Sequence, residues 1–476
     1  MSQQLTSNNS SSTESNILDG RRERLIVSNR LIETDMPMIN KIGQIIYEEN
    51  SVVVNNTASS DQQQMVTSLC QGMVYYKPPQ QVMESLISNQ LEKSYNPSDP
   101  FSFIHNYCEH DFGRKLVRDK LKEKLKKMNG IDGVEVVLTS GCNQAFTSVV
   151  LSLCDVGDEC MVFGPYYFNH YMALQMFGVR PIVFDCREED GYQPGSGDDM
   201  ERFTEFFKKT VQNPSNKLRM VVVNTPCNPT GAVYTKNQLE VISQLCKEYG
   251  IWLIMDETYE WFIYNDMQSS NAIHFSPQGD HIIHLYSFSK CFAMPGWRIG
   301  YLTYPATNTT LGLHLNKIQD TIVISSPLPS QQLALSVTEM DEEFGKIWAM
   351  DRINTLKENR RVIWNAIHDL CNLEKIPEGA IYFWATLPNF ANHSDNQLSI
   401  EKEFQVIEWM VRKHKVAVLP GSCFGRVGGF RISYANVSEN ACKLAANRLR
   451  TALQELKDGQ FEKDDLSLYV KTFKTL

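Results

Sequence analysis

The sequence predicts an α/β fold, in which a large domain built on a mostly parallel sheet flanked by helices is joined to a smaller α+β domain. Three observations predict it. From residue 135 to 325 apolar runs alternate with amphipathic segments, the pattern of repeated strand-helix-strand units. Beyond about residue 340 helical periodicity mixes with short alternating strands. A chain of 476 residues, 42% hydrophobic and 21% charged, can bury a large core and is too long for one ordinary domain. The expected division is a tail over 1–20, an N-terminal segment of the small domain over 21–80, the large domain over 81–335 and the small C-terminal domain over 336–476.

In chain order, residues 1–20 are nearly all Ser, Asn, Gln and Thr, too polar to order themselves. They lack the basic start and apolar core of a signal peptide, and Glu14 and Asp19 with no Arg before Arg21 argue against a transit peptide. Residues 55–64 form a second polar stretch, expected as a surface excursion. Between Gly113 and Gly130, Leu116, Val117, Leu121, Leu125 and Met128 recur at helical spacing on a lysine-rich background. This predicts an amphipathic helix whose basic face is solvated. Val137 to Thr139 reads as a strand that enters the turn Ser140-Gly141-Cys142-Asn143 and then helical sequence. Free N–H groups at a helix N-terminus, approached closely because of Gly141, make an anion site. The next strand, Glu159 to Val162, runs into an aromatic stretch from Phe163 to Tyr171. Of its rings, Tyr167 is the one placed to stack on a flat ligand, the others reading as ordinary core.

The strand Met220 to Val223 leads into Asn224-Thr225-Pro226-Cys227-Asn228-Pro229-Thr230-Gly231. Prolines and a glycine fix a loop in which the Asn228 amide can donate to an anionic oxygen, and the competing reading is a plain turn. The Asn228-Pro229 bond is expected cis, a state that costs only about 0.5–1 kcal/mol before proline. Ile251 to Met255 reads as a buried parallel strand that delivers Asp256 to the carboxyl edge of the sheet, where ligands of open α/β sheets bind. Asp256 there can pair with a protonated ring nitrogen, with Tyr259 close by; a helix N-cap is the alternative. Then comes Tyr286-Ser287-Phe288-Ser289-Lys290, with Arg298 after it. A lysine can bind an aldehyde cofactor covalently, two hydroxyls can hydrogen-bond a phosphate, and an arginine can neutralise it, although lysines beside serines are also common in solvated loops. These are the needs of pyridoxal 5'-phosphate. Asn228 and Asp256 are 28 residues apart and Asp256 and Lys290 are 34, each about one strand-helix unit, so the three should converge. Towards the C-terminus, helices are expected over 343–367 and 401–413, and strands over 380–385, 416–419 and 429–434. Arg431 lies in the last of these, where a substrate carboxylate or a structural ion pair would serve it equally.

The strings NTPCNPTG, DETY, SFSKCFAMPGWRIGY and FRISYAN, in this order, resemble the class I/II aminotransferases among the fold-type I pyridoxal-phosphate enzymes, over roughly residues 25–450. The resemblance implies that Lys290 links to pyridoxal 5'-phosphate and acts as general base, that Asp256 sits on the pyridine nitrogen, and that Asn228 and Tyr259 sit on the 3-oxygen. It places Ser287, Ser289, Arg298 and Gly141-Cys142-Asn143 on the phosphate, Tyr167 on the ring face, and Arg431 with Asn228 on the substrate carboxylate. Gly72, in the loop Leu69 to Tyr76, matches the substrate loop. Tyr107 matches a tyrosine that reaches the neighbouring subunit's phosphate, although its spacing to Gly113 is one residue longer than usual.

PYYFNHYMAL and LCQGMVYYKPP look like the plant-type aromatic and methionine aminotransferases. Tyr75, Tyr76, Tyr166 and Phe168 are therefore expected to line an apolar side-chain pocket, which Arg114 or Arg118 can reach across a dimer. The implied activity is ping-pong transfer of an α-amino group between amino acids and 2-oxo acids, by a cytoplasmic homodimer. A pyridoxal-phosphate lyase, such as a C–S lyase or aminocyclopropane-carboxylate synthase, would use the same anchors. A non-catalytic ligand-sensing domain is a further alternative, against which stand Lys290 and the lack of a helix-turn-helix.

Composition narrows the classes. A net charge of −9 argues against a nucleic-acid surface. Twelve scattered cysteines without a CxxC pair read as reduced thiols and not as metal ligands, with Cys142 and Cys227 serving as small residues in site motifs. No apolar run reaches 18 residues, so no membrane span is expected.

Overall fold

In the computed structural model, residues 28–56, 64–86, 105–197, 199–264, 274–390 and 396–470 are described. The expected tail over 1–20 lies outside them. So do residues 57–63 of the second polar stretch, while 55 and 56 end the helix Met38–Asn56.

Strand β1 (Thr67–Ser68) is short and pairs near the other end of the chain. The apolar runs then build the central sheet from β2 (Val134–Thr139), β3 (Glu159–Gly164), β4 (Arg180–Asp185), β5 (Leu218–Asn224), β6 (Trp252–Asp256), β7 (Ile282–Ser287) and β8 (Gly300–Pro305). Their spatial order is β2-β8-β7-β6-β5-β3-β4. Such runs suit a sheet buried on both faces, and Val136, Val221, Val223, Leu253, Ile254 and Ile283 are fully or almost fully buried. All neighbouring pairs are parallel except those of β8, which runs antiparallel to β2 and β7. The reason is the connection: residues 288–299 contain one 3-10 turn, Pro295–Trp297, and no crossover helix, so the chain must return antiparallel. Consequently β8 starts on the edge where the parallel strands end.

A second sheet is formed by β9 (Tyr382–Thr386), β11 (Leu419–Pro420) and β12 (Gly429–Ser433), while β10 (Val416–Ala417) pairs in parallel with β1. The segment expected as one strand over 416–419 is thus shared between two sheets. The helix expected over 343–367 is two helices, Lys346–Asn354 and Lys357–Ile367, with Leu356 buried between them.

The amphipathic helix covers Lys115–Lys124 and ends in a π-helical turn, Leu125–Asn129. Val117, Leu121 and Leu125 are buried as its spacing requires, but Leu116 is 46% exposed. Lys124 departs from the expected solvated face: it is 3% exposed, its ammonium 2.7 Å from Glu260 and 4.7 Å from the centre of the Tyr286 ring. A cation is buried there because a carboxylate and a ring face receive it.

Candidate active site

The carboxyl edge of the central sheet opens into a cavity of about 330 Å³, to which five parallel strands and the start of β8 contribute. The end of β2 leads through Gly141, the N-cap of the helix Cys142–Leu153, to Cys142 and Asn143. After β3 come cis Pro165 and Tyr167. The end of β5 gives Asn224 and Asn228, β6 gives Asp256, and β7 gives Ser287, Ser289 and Lys290. Arg298, two residues before β8, has a left-handed backbone with φ 51°. Arg431 comes from β12 of the small sheet, and Pro37, Ile39, Gln71 and Gly72 complete the lining from the N-terminal segment.

Two glycines are required by close approach. Gly141 has φ 85°, and a Cβ there would lie 2.5 Å from Arg298 Nη2, so the guanidinium rests against the helix N-terminus. Its Nη2 donates to the Ser140 carbonyl at 3.1 Å and Nη1 to the Pro295 carbonyl at 2.8 Å. A Cβ on Gly72 would strike the Tyr382 hydroxyl. The Gly72 carbonyl accepts a hydrogen bond from Lys290 Nζ.

Asp256 is buried among donors. Its Oδ2 accepts from Asn224 Nδ2 at 3.0 Å and lies 3.1 Å from His170 Nε2, while its Oδ1 accepts the Thr258 N–H at 3.0 Å. Burial works against its charge, but His170 and Thr258 outweigh it, and the carboxyl stays below the usual 3.8. Lys290 is shifted in the opposite sense. Burial first, then Arg431 and Arg298, lower its ammonium from 10.5 to about 8. Arg431 is buried, donates through Nη1 to Asn228 Oδ1 at 2.7 Å and through Nη2 to the Cys70 carbonyl at 2.7 Å, and lies 4.2 Å from the centre of the Tyr382 ring. Its buried Nε has no hydrogen-bond partner. Among the described residues the guanidinium is thus held by neutral groups and not by a carboxylate, unlike the structural ion pair that was one of its two expected roles.

The chain matches the family model for aminotransferase class I and II over residues 64–449. It belongs to that family. An aromatic aminotransferase of Arabidopsis thaliana is 34% identical over 90% of this chain and 97% of its own length. An aspartate aminotransferase of Pyrococcus horikoshii is 31% identical over 71% of this chain and 81% of its own. The crystal structure of an aromatic aminotransferase from Pyrococcus horikoshii superposes with a TM-score of 0.67 at 26% identity, covering 86% of this chain and 99% of that one. The chain is therefore an aminotransferase with the fold-type I architecture.

The residues singled out in this aminotransferase's sequence are brought to one cavity with few exceptions. Cys142, Asn143, Tyr167, Asn228, Asp256, Tyr259, Ser287, Ser289, Lys290, Arg298, Arg431 and Gly72 all line it, and Gly141 underlies Arg298. Tyr107 does not: it is 80% exposed, away from the cavity of its own chain. Of the four aromatics expected in the side-chain pocket only Phe168 lines the cavity. Tyr75 turns to Thr355 Oγ1 at 3.1 Å, Tyr76 donates to the Cys291 carbonyl at 3.3 Å, and Tyr166 stacks on Tyr171 at 4.4 Å. Arg114 and Arg118 are engaged within the chain, by Gln332 Oε1 at 3.1 Å and by the Gly113 carbonyl at 2.9 Å.

Sequence reasoning missed Asn224, His170 and Tyr382. Asn224 opens the proline-rich motif at a strand end, which was a usable signal. His170 was hidden in an aromatic stretch. Tyr382, whose hydroxyl meets that of Tyr259 at 2.5 Å, sits in an alternating strand that marks no residue as special.

Proposed function

We propose that this aminotransferase uses pyridoxal 5'-phosphate to move the α-amino group between an amino acid with a neutral, preferably aromatic or thioether, side chain and a 2-oxo acid. The convergence of Lys290, Asp256, Arg298 and Arg431 on one cavity carries the reading. The residues fit the cofactor: a glycine cradle backed by Arg298 suits a phosphate, a buried carboxylate kept ionised suits a protonated ring nitrogen, and the lysine amine titrates near neutrality. When bound, the cofactor supplies a carbonyl that links to amines and a protonated ring that draws electrons from the substrate's α-carbon.

The chain's own groups do the rest. Arg298, Ser287, Ser289 and the turn Gly141-Cys142-Asn143 hold the phosphate. Asp256, fixed by His170 and Asn224, keeps the ring nitrogen protonated. Asn228 and Tyr259 address the 3-oxygen, and Tyr167 covers the ring face. Arg431, bedded on the Tyr382 ring with Nη1 and Nη2 on neutral acceptors, would receive the substrate carboxylate, with Gly72 alongside. Lys290, lowered to about 8 by burial and the neighbouring guanidinium groups, would serve as the base that takes up and gives back the substrate's α-proton.

Support for the substrate class comes from the lining and from the relatives. Pro37, Ile39 and Phe168 are apolar, and the cations lining the cavity among the described residues are Lys290, Arg298 and Arg431, whose proposed roles leave none for a second substrate carboxylate. The aromatic aminotransferase relative agrees. We read the enzyme as a cytoplasmic homodimer. Its twelve cysteines are free, no helix among the described residues is long and apolar enough to cross a membrane, and Tyr107 is exposed, as a residue serving a partner subunit would be. The test is a donor and acceptor panel on holoenzyme: 2-oxo acid formation that requires an acceptor supports the reading, and product without an acceptor contradicts it.

A further inference from the structure

The loop joining β11 to β12 is tied down by a carboxylate that has no part in the reaction described above. Glu403, on the helix Asn396–His414, is fully buried. Its Oε2 accepts the Ser422 N–H at 3.1 Å and its Oε1 accepts the Gly428 N–H at 2.6 Å, one donor from each end of the loop. Gly425 and Gly428 have φ of 82° and 84°; the Gly425 and Arg426 N–H groups bond within the loop, to the Ser422 and Gly421 carbonyls, whereas those of Ser422 and Gly428 go to Glu403. In the middle of this loop stands Phe424, fully buried, its ring centre 5.1 Å from the Arg431 guanidinium carbon and 5.6 Å from the ring of Phe168, which lines the cavity. The Phe424 carbonyl also accepts the Tyr166 N–H at 3.1 Å, next to Tyr167.

We infer that Glu403 is a positioning residue for the substrate's carboxylate: by clamping both ends of the loop 421–428 it fixes Phe424 against Arg431. The inference rests on Arg431 being the carboxylate anchor. The clamp needs both oxygens of Glu403 as acceptors; burial raises its carboxyl to about 7 against the pull of the N–H donors, so the clamp is complete above that pH. An amide has one acceptor oxygen, so glutamine at 403 would satisfy one N–H and turn its own NH2 towards the other. One buried donor would go unpaired, and the loop would release its hold on the ring. The phosphate side of the cavity, built from β2, β7 and β8, has no connection to this loop through the bonds described and should not respond.

The test uses holoenzyme and 3-phenylpropionate, a carboxylate without an amino group that binds and cannot react, with its Kd measured by titration calorimetry. Glu403→Gln should raise this Kd and the KM of phenylalanine by roughly tenfold, the scale of one lost buried hydrogen bond, with kcat and cofactor affinity changed less than about twofold. Phe424→Leu, which leaves the clamp in place, should give a similar rise. The double variant should add little to either, because both act on one path. Should Glu403→Gln fail to fold, Glu403→Asp, whose shorter side chain cannot reach both N–H groups, is measured in its place. An unchanged Kd in either variant overturns the inference, as does a loss of cofactor affinity equal to the loss for the carboxylate. Arg431→Gln separates the two layers: if it too binds 3-phenylpropionate normally, the anchor itself is wrong, whereas a loss there with no effect at Glu403 removes only the positioning role.

Discussion

Lys290 shows how a single residue inherits its chemistry from its neighbours. Burial, Arg431 and Arg298 all disfavour its ammonium, so between pH 8 and 10.5 it is a free amine where an exposed lysine is still protonated. In cofactor-free protein the rate at which Lys290 condenses with an aldehyde probe should therefore rise with an apparent pKa near 8. Arg298→Gln should move that value upward, and a midpoint near 10.5 in the parent protein would contradict the account. Gly141 offers a second check at this scale. An added Cβ meets the far end of the Arg298 side chain, which can swing away, so Gly141→Ala should cost cofactor affinity more than stability. The left-handed backbone adds about 1–3 kcal/mol of strain. Equilibrium dialysis of the cofactor against the variant, beside its urea midpoint, tells the two effects apart.

At the scale of elements, the join between β6 and β7 depends on Glu257, which follows Asp256 and belongs to the opposite side of the strand. Its carboxylate lies 2.6 Å from His284 Nδ1 and 2.9 Å from His274 Nε2, and accepts the Ser276 hydroxyl at 2.6 Å and the Tyr286 hydroxyl at 3.1 Å. Glu257, Glu260 and His274 bring ligand atoms within 4.8 Å of one another, as a metal site would, but these donors and the Lys124 ammonium already satisfy the carboxylates. Burial opposes the charge of Glu257, and His284 and His274 overcome it, holding the carboxyl far below 4.5. Its stabilising contribution is present above pH 4.5 and is lost as the pH falls below it. Glu257→Ala should lower unfolding stability by about 3–5 kcal/mol in urea titrations, and Glu257→Gln should flatten the acid limb of the stability curve; a variant as stable as the parent would refute the network. Elements of this kind were only half legible. The periodicity 115–125 fixed the buried stripe of that helix, but nothing in the sequence announced that Lys124 would be received by Glu260, 136 residues away. The antiparallel return of β8 was likewise invisible to pattern alone, since it follows from the missing crossover helix.

For the whole molecule, the legible part of the site is the part delivered by strand ends. Asn228, Asp256 and Lys290 follow apolar runs and reach the same edge because parallel strands share a direction. Tyr382 and His170 act through partners far along the chain, and the pocket aromatics Tyr75, Tyr76 and Tyr166 turned elsewhere because tertiary partners outbid the cavity. With Arg114 and Arg118 engaged internally, kcat/KM for phenylalanine should exceed that for aspartate, and a ratio below one would remove the neutral side-chain preference. Sedimentation of active enzyme should show a dimer; a fully active monomer would leave exposed Tyr107 without a role. As proposed, these strand ends would assemble one cofactor site around Lys290. Borohydride reduction of holoenzyme followed by peptide mass mapping tests it most directly: the cofactor mass should be found on the peptide containing Lys290, and a label on any other lysine, or none at all, would contradict the account.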